Sequence, residues 1–170
     1  IPEVVEVGGS KDWQDADDQD GMRPEEITIN LLKNGEVIDT KTITEDDNWE
    51  WKFTNLPKYE DGKKIAYSIT EDAVAEYTTT YDGYNVINTH IPVVVEVSGS
   101  KDWQDADNQD GMRPEKITIN LLKDGKEIDS VTVTEAEGWS WSFTNLPKYE
   151  DGKEIVYSIT EDAVAEYTTT

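Results

Sequence analysis

The stretch EITINLLKNGEVIDTKTIT, residues 26 to 44, contains the pattern that decides the fold. Its apolar residues, such as Ile27 and Ile29, alternate with polar ones, and this is the period of a strand that buries one face. The pair Asn34-Gly35 favours the tight primed turn of a β-hairpin. The stretch therefore predicts two antiparallel strands joined by a short turn.

The same strand pattern continues along the chain. The segments WEWKF (residues 49 to 53), KKIAYSITE (63 to 71) and EYTTTYDGYNVINT (76 to 89) all alternate, and no segment has convincing helical periodicity. The aromatic residues of WEWKF fall on one face, which favours a core position over a binding platform. About seven short strands in roughly 90 residues predict an all-β fold, an antiparallel β-sandwich of the immunoglobulin-like or prealbumin-like kind.

The chain contains a long internal repeat. Residues 1 to 80 and 91 to 170 align without a gap and differ at 17 of 80 positions. Because this period is too long for the common solenoids, we expect two tandem domains, 1–90 and 91–170. The second copy stops before any equivalent of YDGYNVINTH, so it lacks the last strand and should expose a sheet edge. Either residues outside this sequence complete it, or another chain donates a strand.

Composition excludes several classes of function. The net charge of −23 argues against nucleic acid and anionic membranes as partners. The chain has no cysteine for a disulfide or a thiolate metal site, and no run of 18 apolar residues. Its one histidine, His90, leaves no Ser/His/Asp or Cys/His arrangement within each repeat. We therefore expect no hydrolase, no cofactor and no membrane insertion in this segment.

The acidic stretch DWQDADDQDGMRP, residues 12 to 24, resembles a calcium loop in composition. Its spacing fails the EF-hand pattern, which needs Gly at position six and a bidentate Glu at position twelve. We expect a solvated acidic loop without a metal, with Arg23 paired to it. Calcium binding stays open as an alternative interpretation.

Three polar residues occupy the inward phase of predicted strands. In VVEVGGSKDW the alternation places Lys11 on the same face as Trp13, and the later strands do the same for Glu71 and Asn88. One interpretation is that the strands fray at their ends and these side chains reach water. The other is that a lysine, a glutamate and an asparagine meet inside the sandwich, where they would have to be paired.

The motifs GSKDW, WxWxFxNLPKY, YSITEDAV and VINTH, in this order, resemble the B-type repeat of Gram-positive collagen adhesins, the Cna B-type domain. The resemblance covers nearly all of both copies. It implies sandwiches that form stalks in cell-wall-anchored adhesins and pilins, and a spontaneous Lys–Asn isopeptide bond assisted by a buried acid. By position it assigns the bond to Lys11 and Asn88 and the acid to Glu71. In domain 2 it assigns Lys101 and Glu161 as equivalents without an asparagine partner.

The chemistry of such a bond follows from burial. A lysine attacks a carboxamide only as the neutral amine, and an apolar surrounding disfavours the ammonium. A neutral Glu71 would donate a hydrogen bond to the Asn88 carbonyl and shuttle the proton as ammonia leaves. Because this is one self-processing event without turnover, we expect no enzyme.

Two functions are consistent with these expectations. The first is a self-cross-linked stalk or spacer of a surface protein anchored in the bacterial cell wall, whose partners are the neighbouring repeats. A host matrix protein would then be bound by regions absent here. The alternative is a module that itself binds a matrix protein through loops or an open sheet edge, since identical copies also suit multivalent binding.

Overall fold

Strands make up nearly all of the regular structure in the computed structural model, which describes every residue from Ile1 to Thr170. Internal contacts divide the chain into a first unit, Ile1–Pro92, and a second unit, Val93–Thr170. The only helical segments are two short 3₁₀ turns, Glu45–Asp47 and Glu135–Glu137. None of them has the length or apolar character needed to cross a bilayer.

Nine strands build the first unit. They are β1 (Val4–Gln14), β2 (Glu26–Lys33), β3 (Glu36–Thr44), β4 (Glu50–Pro57), β5 (Tyr59–Glu60), β6 (Lys63–Lys64), β7 (Tyr67–Glu71), β8 (Thr78–Asp82) and β9 (Asn85–Thr89). One sheet has the order β4-β1-β9-β8, the other has the order β3-β2-β7, and β5 and β6 form a small hairpin. The turn between β2 and β3 has positive φ at both Asn34 (50°) and Gly35 (92°), as a primed hairpin turn requires.

The core of the first unit lies between its two sheets. It contains inward residues from both of them: Val7, Ile27, Ile29, Leu31, Ile43, Trp51, Phe53, Ile69 and Val86. Alternate residues of each strand point away from this layer, which is why the period of two was visible in the sequence. The predicted all-β sandwich is confirmed.

One strand pair differs from the predicted antiparallel arrangement. β1 and β9 are parallel, with Lys11 opposite Val86 and Trp13 opposite Asn88. Alternation reports which face a residue occupies but not the direction of a distant partner strand, so the sequence could not reveal this pair. Its consequence is that the first and last strands of the unit are neighbours in the middle of one sheet.

The second unit repeats most of this architecture. Its strands are β10 (Val94–Ser100), β11 (Lys116–Lys123), β12 (Lys126–Thr134), β13 (Ser140–Pro147), β14 (Tyr149–Glu150), β15 (Lys153–Glu154) and β16 (Tyr157–Glu161). They form the sheets β10-β13 and β12-β11-β16 and the hairpin β14-β15. There are no counterparts of β8 and β9, and residues 101 to 104 form no strand where their equivalents in β1 pair with β9.

Candidate functional site: a buried lysine, glutamate and asparagine

Lys11 and Glu71 meet between the two sheets of the first unit. β1 carries Lys11 in one sheet, and β7 carries Glu71 in the other, where Glu71 lies opposite Ile29 of β2. The Lys11 Nζ atom donates a hydrogen bond to Glu71 Oε2, and both side chains are completely shielded from solvent (0% exposed). The interpretation in which these side chains reach water therefore does not describe the first unit.

Burial changes the ionisation of Lys11. Loss of hydration lowers its pKa below the ordinary 10.5, although the hydrogen bond and the charge of Glu71 act in the opposite direction. The ammonium group also lies 4.5 Å from the centroid of the Trp13 ring. A lowered pKa increases the fraction of neutral amine at a given pH, and the neutral amine is the nucleophilic form of lysine.

Asn88 lies on the central strand β9, opposite Trp13 of β1 and Thr79 of β8. The residue is 0% exposed, and neither Nδ2 nor Oδ1 has a hydrogen-bond partner. A buried amide without partners costs free energy, so its presence in a packed core calls for an explanation. The parallel register puts Asn88 diagonally across from Lys11, on the same face of the sheet.

Aromatic side chains surround the lysine end of this site. The rings of Trp49 and Tyr77 each meet Trp13 edge to face at a centroid distance of 5.2 Å. The backbone also fixes the position of Lys11, whose N–H donates to the Trp49 carbonyl at 2.8 Å. The side chains of Lys11 and Glu71 and the whole of Asn88 are unexposed, and a site without water has a low local dielectric.

In the second unit the equivalent lysine and glutamate, Lys101 and Glu161, occur without a counterpart of β9. Lys101 Nζ lies 2.9 Å from Glu161 Oε2, so the lysine and the glutamate still meet. Their side chains are 14% and 6% exposed, whereas both side chains of the first pair are fully buried. The second unit offers no asparagine at the position equivalent to Asn88. Within residues 1 to 170, the lysine, the glutamate and the asparagine are all present only in the first unit.

The acidic loop is organised by Asp15 and Arg23. Asp15 is buried and accepts hydrogen bonds from Arg23 Nε (3.1 Å), the Arg23 NH2 group (2.7 Å), the Tyr77 hydroxyl (2.7 Å) and the Asp18 N–H (3.0 Å). Desolvation alone would raise the pKa of Asp15, but these donors outweigh it and lower the pKa. Asp18 accepts from the Arg23 N–H, and in the second unit Asn108 does the same for Arg113. An amide thus replaces the carboxylate, so the position needs an acceptor and not a charge.

A second buried polar pair was missed by sequence reasoning. His90 Nε2 lies 2.8 Å from Asp20 Oδ2, and Nδ1 lies 2.8 Å from the Glu76 carbonyl oxygen. Since a carbonyl and a carboxylate only accept hydrogen bonds, these two neighbours favour the protonated imidazole, which donates from both ring nitrogens. The hydrogen bond to Asp20 is the main cause that raises the pKa of His90, with desolvation opposing it. A lone histidine at the end of a repeat gave no signal of this partner 70 residues away.

The stability of the first unit is expected to fall as the pH rises through the folded pKa of His90. Because folding raises this pKa above the ordinary 6.5, the contribution is complete at lower pH and disappears once the imidazolium loses its proton. Thermal unfolding between about pH 5 and pH 9 measures the effect, and the His90→Gln variant should show a flatter profile in this range. An identical pH dependence in both proteins would contradict the assignment.

The sequence and fold of this chain are similar to those of known proteins. The model of the Cna protein B-type domain matches residues 7–89 and 97–170. The collagen adhesin of Staphylococcus aureus is 31% identical over 264 aligned positions, which cover 98% of this chain and 22% of that protein. The chain therefore spans about a fifth of the length of this relative.

Two solved structures are similar over nearly the whole chain. One is a single B repeat unit of the S. aureus collagen-binding surface protein, 39% identical with a TM-score of 0.52, covering 99% of this chain and 91% of that one. The other contains two B repeat units of the same protein, 40% identical with a TM-score of 0.52, covering 99% of this chain and 46% of that one.

Proposed function

Because this chain belongs to the Cna protein B-type domain family, we propose that it is a structural stalk segment of a bacterial surface protein, cross-linked in its first unit between Lys11 and Asn88. The observation that supports this most directly is the buried Asn88 amide without partners, on the same face of the sheet as a buried Lys11–Glu71 pair. Hydrogen bonds to the unreacted amide would stabilise the ground state and not the transition state, so they would not help the amide to react.

The proposed reaction conserves atoms and changes no oxidation state. Neutral Nζ of Lys11 attacks Cγ of Asn88, Glu71 donates a proton toward the amide and recovers one from Nζ, and Nδ2 leaves as ammonia. The new Nζ–Cγ bond replaces the Cγ–Nδ2 bond. Glu71 already contacts the lysine through Oε2, so the proton has a short route between the two groups. The site reacts once and is consumed, so it performs no turnover.

The position of this bond suits a stalk. β1 and β9 are the first and last strands of the first unit, and they lie side by side in one sheet. A covalent link between them lets tension applied at the ends of the unit pass through the bond, so the strands need not separate. Relatives named as surface proteins and as a collagen adhesin support an extracellular surface location for this chain.

Intact mass spectrometry tests the proposal. The folded chain should weigh less than its sequence by one ammonia, and the deficit should vanish in Lys11→Ala and in Asn88→Ala. Glu71→Ala should greatly reduce it, because the proton carrier is lost. Lys101→Ala is the matched control from the second unit and should keep the deficit. A full-weight wild-type chain would overturn the cross-link.

A second candidate is a module that binds a matrix protein directly. The observation in its favour is the edge strand β3, where Val37 and Ile38 are 57% and 48% exposed beside unpaired backbone groups. Binding of the 1–170 chain to immobilised collagen, compared with a Val37→Lys/Ile38→Lys variant, separates the two functions. A spacer should bind nothing, whereas a module should bind and lose affinity in the variant.

A further inference from the structure

Thr79 contacts the carboxyl group at the centre of the proposed reaction. Its hydroxyl Oγ1 lies 3.2 Å from Glu71 Oε1, while Lys11 contacts the other oxygen, Oε2. Thr79 belongs to β8, the strand that follows β7, and its Cα lies opposite Asn88 in the antiparallel register. The threonine is therefore next to both the acid and the strand position that carries the amide.

A second contact from β8 fixes the backbone of the same glutamate. The Glu71 N–H donates to the Tyr81 hydroxyl at 2.9 Å, two residues beyond Thr79 on the same face of β8. β7 lies in one sheet and β8 in the other, so these two contacts hold Glu71 from across the sandwich. Thr79 restrains the carboxyl group and Tyr81 restrains the main chain.

The second unit provides an independent copy of the threonine contact. Thr169 Oγ1 lies 3.0 Å from Glu161 Oε1, although no strand equivalent to β8 or β9 is formed there. Lys101 Nζ lies 2.9 Å from both Glu161 oxygens, so in this unit the lysine and the threonine share Oε1. The contact therefore does not depend on the last strand or on an asparagine. It arises from the local path of the chain after β7 and β16, and it is present wherever the lysine and glutamate meet.

We infer that Thr79 is a positioning residue that orients the Glu71 carboxyl group for formation of the Lys11–Asn88 bond, an inference that rests on the proposed function. A threonine hydroxyl both donates and accepts. It donates to Oε1 while Glu71 is a carboxylate, and after rotation of its O–H it accepts from Oε1 when Glu71 is protonated. Oε1 thus has a partner in both states of the proton shuttle, and Oε2 stays directed at Lys11.

The kinetics of bond formation test this role. The 1–170 chain is recovered unfolded, refolded by dilution, and sampled over time in an acid quench, with loss of ammonia followed by intact mass and folding followed by tryptophan fluorescence. Thr79→Val keeps the shape of the side chain but leaves Oε1 without a partner. We expect bond formation to slow by roughly tenfold or more while folding stays unchanged.

Two further readouts separate positioning from a purely structural role. Thr79→Ser should restore the rate to within about threefold of wild type, because the hydroxyl returns. In the wild-type chain the Thr79 hydroxyl donates to the carboxylate of the ionised Lys11–Glu71 pair. Because Thr79→Val removes this donor, protonation of the pair becomes easier, and the decrease in rate at low pH should begin at a higher pH. Thr80→Val is the matched control, because Thr80 is exposed on the opposite face of β8 and should react like wild type.

The outcomes are distinguishable from failure of the proposed function. If the wild-type chain loses no ammonia, the cross-link itself is wrong. If wild type reacts and Thr79→Val matches its rate and pH profile, only the role of Thr79 is overturned, and the same holds if Thr79→Ser is as slow as Thr79→Val. Should Thr79→Val fail to fold, Thr79→Ala tests the missing hydroxyl with a smaller side chain.

Discussion

Asn88→Ala is expected to lower the free energy of unfolding of the first unit by about 4.5 kcal/mol, the figure given by chain entropy for a cross-link that closes a loop of 78 residues, 11 to 88. The bond acts mainly on the unfolded chain, because it forbids most extended conformations. For a unit of this size the loss corresponds to a decrease in melting temperature of about 20 to 35 °C. Calorimetry of wild type and variant measures it.

Glu71→Gln is a second variant that should form little of the bond. It keeps Asn88 and the approximate shape of the acid, but it removes both the proton carrier and the anion of the buried Lys11, so it should melt below Asn88→Ala. Hydrogen exchange resolved by peptide assigns the change to the first unit, and the second unit should be unaffected. If the free energies of unfolding of wild type and Asn88→Ala differ by less than about 1 kcal/mol, no cross-link stabilises the unit.

Much of the candidate site could be predicted from strand phase. Lys11, Glu71 and Asn88 are each on the inward face of a strand, and a period of two reports the face directly. The structure buries all three in the first unit. The difference in burial between Lys11 and Lys101 could also be anticipated, because the segment that forms β8 and β9 has no second copy in the sequence.

Other features could not be predicted because they depend on distant partners. The parallel pairing of β1 with β9 and the contact of His90 with Asp20 join residues about 70 positions apart, and neither leaves a local pattern. The contact between Thr79 and Glu71 crosses from one sheet to the other. Alternation along a strand gives no information about which residue faces it across the sandwich.

Asp15→Ala is expected to destabilise the first unit by about 3 to 5 kcal/mol, the usual cost of removing one partner from a buried ion pair. The side chain of Asp15 is 1% exposed and that of Arg23 is 24% exposed. The substitution leaves the Arg23 guanidinium, 5.3 Å from the centre of the Trp13 ring, without its anion. It also removes the acceptor for Tyr77, which packs against the same indole.

A double-mutant cycle shows whether the unpaired cation is the cause. In Asp15→Ala/Arg23→Met no charge is left without a partner, so the double variant should be more stable than the sum of the single losses predicts. Asp17→Asn is the matched control, because Asp17 is exposed in the same loop and asparagine tolerates its left-handed backbone (φ 58°). Denaturant unfolding measures five proteins: wild type, the single variants Asp15→Ala and Arg23→Met, the double variant, and Asp17→Asn.

The pH dependence of the Asp15 contribution provides a second, independent check. Because folding lowers the pKa of Asp15 below its ordinary 3.8, the contribution is complete above that value and is lost as the pH falls through the folded pKa. The stability difference between wild type and Asp15→Ala should therefore be constant near neutral pH and shrink in acid.

Addition of a calcium chelator at neutral pH should leave both melting curves unchanged, because the donors to Asp15 are Arg23, Tyr77 and the Asp18 N–H. A wild-type curve that shifts with chelator would instead assign the acidic loop to a cation.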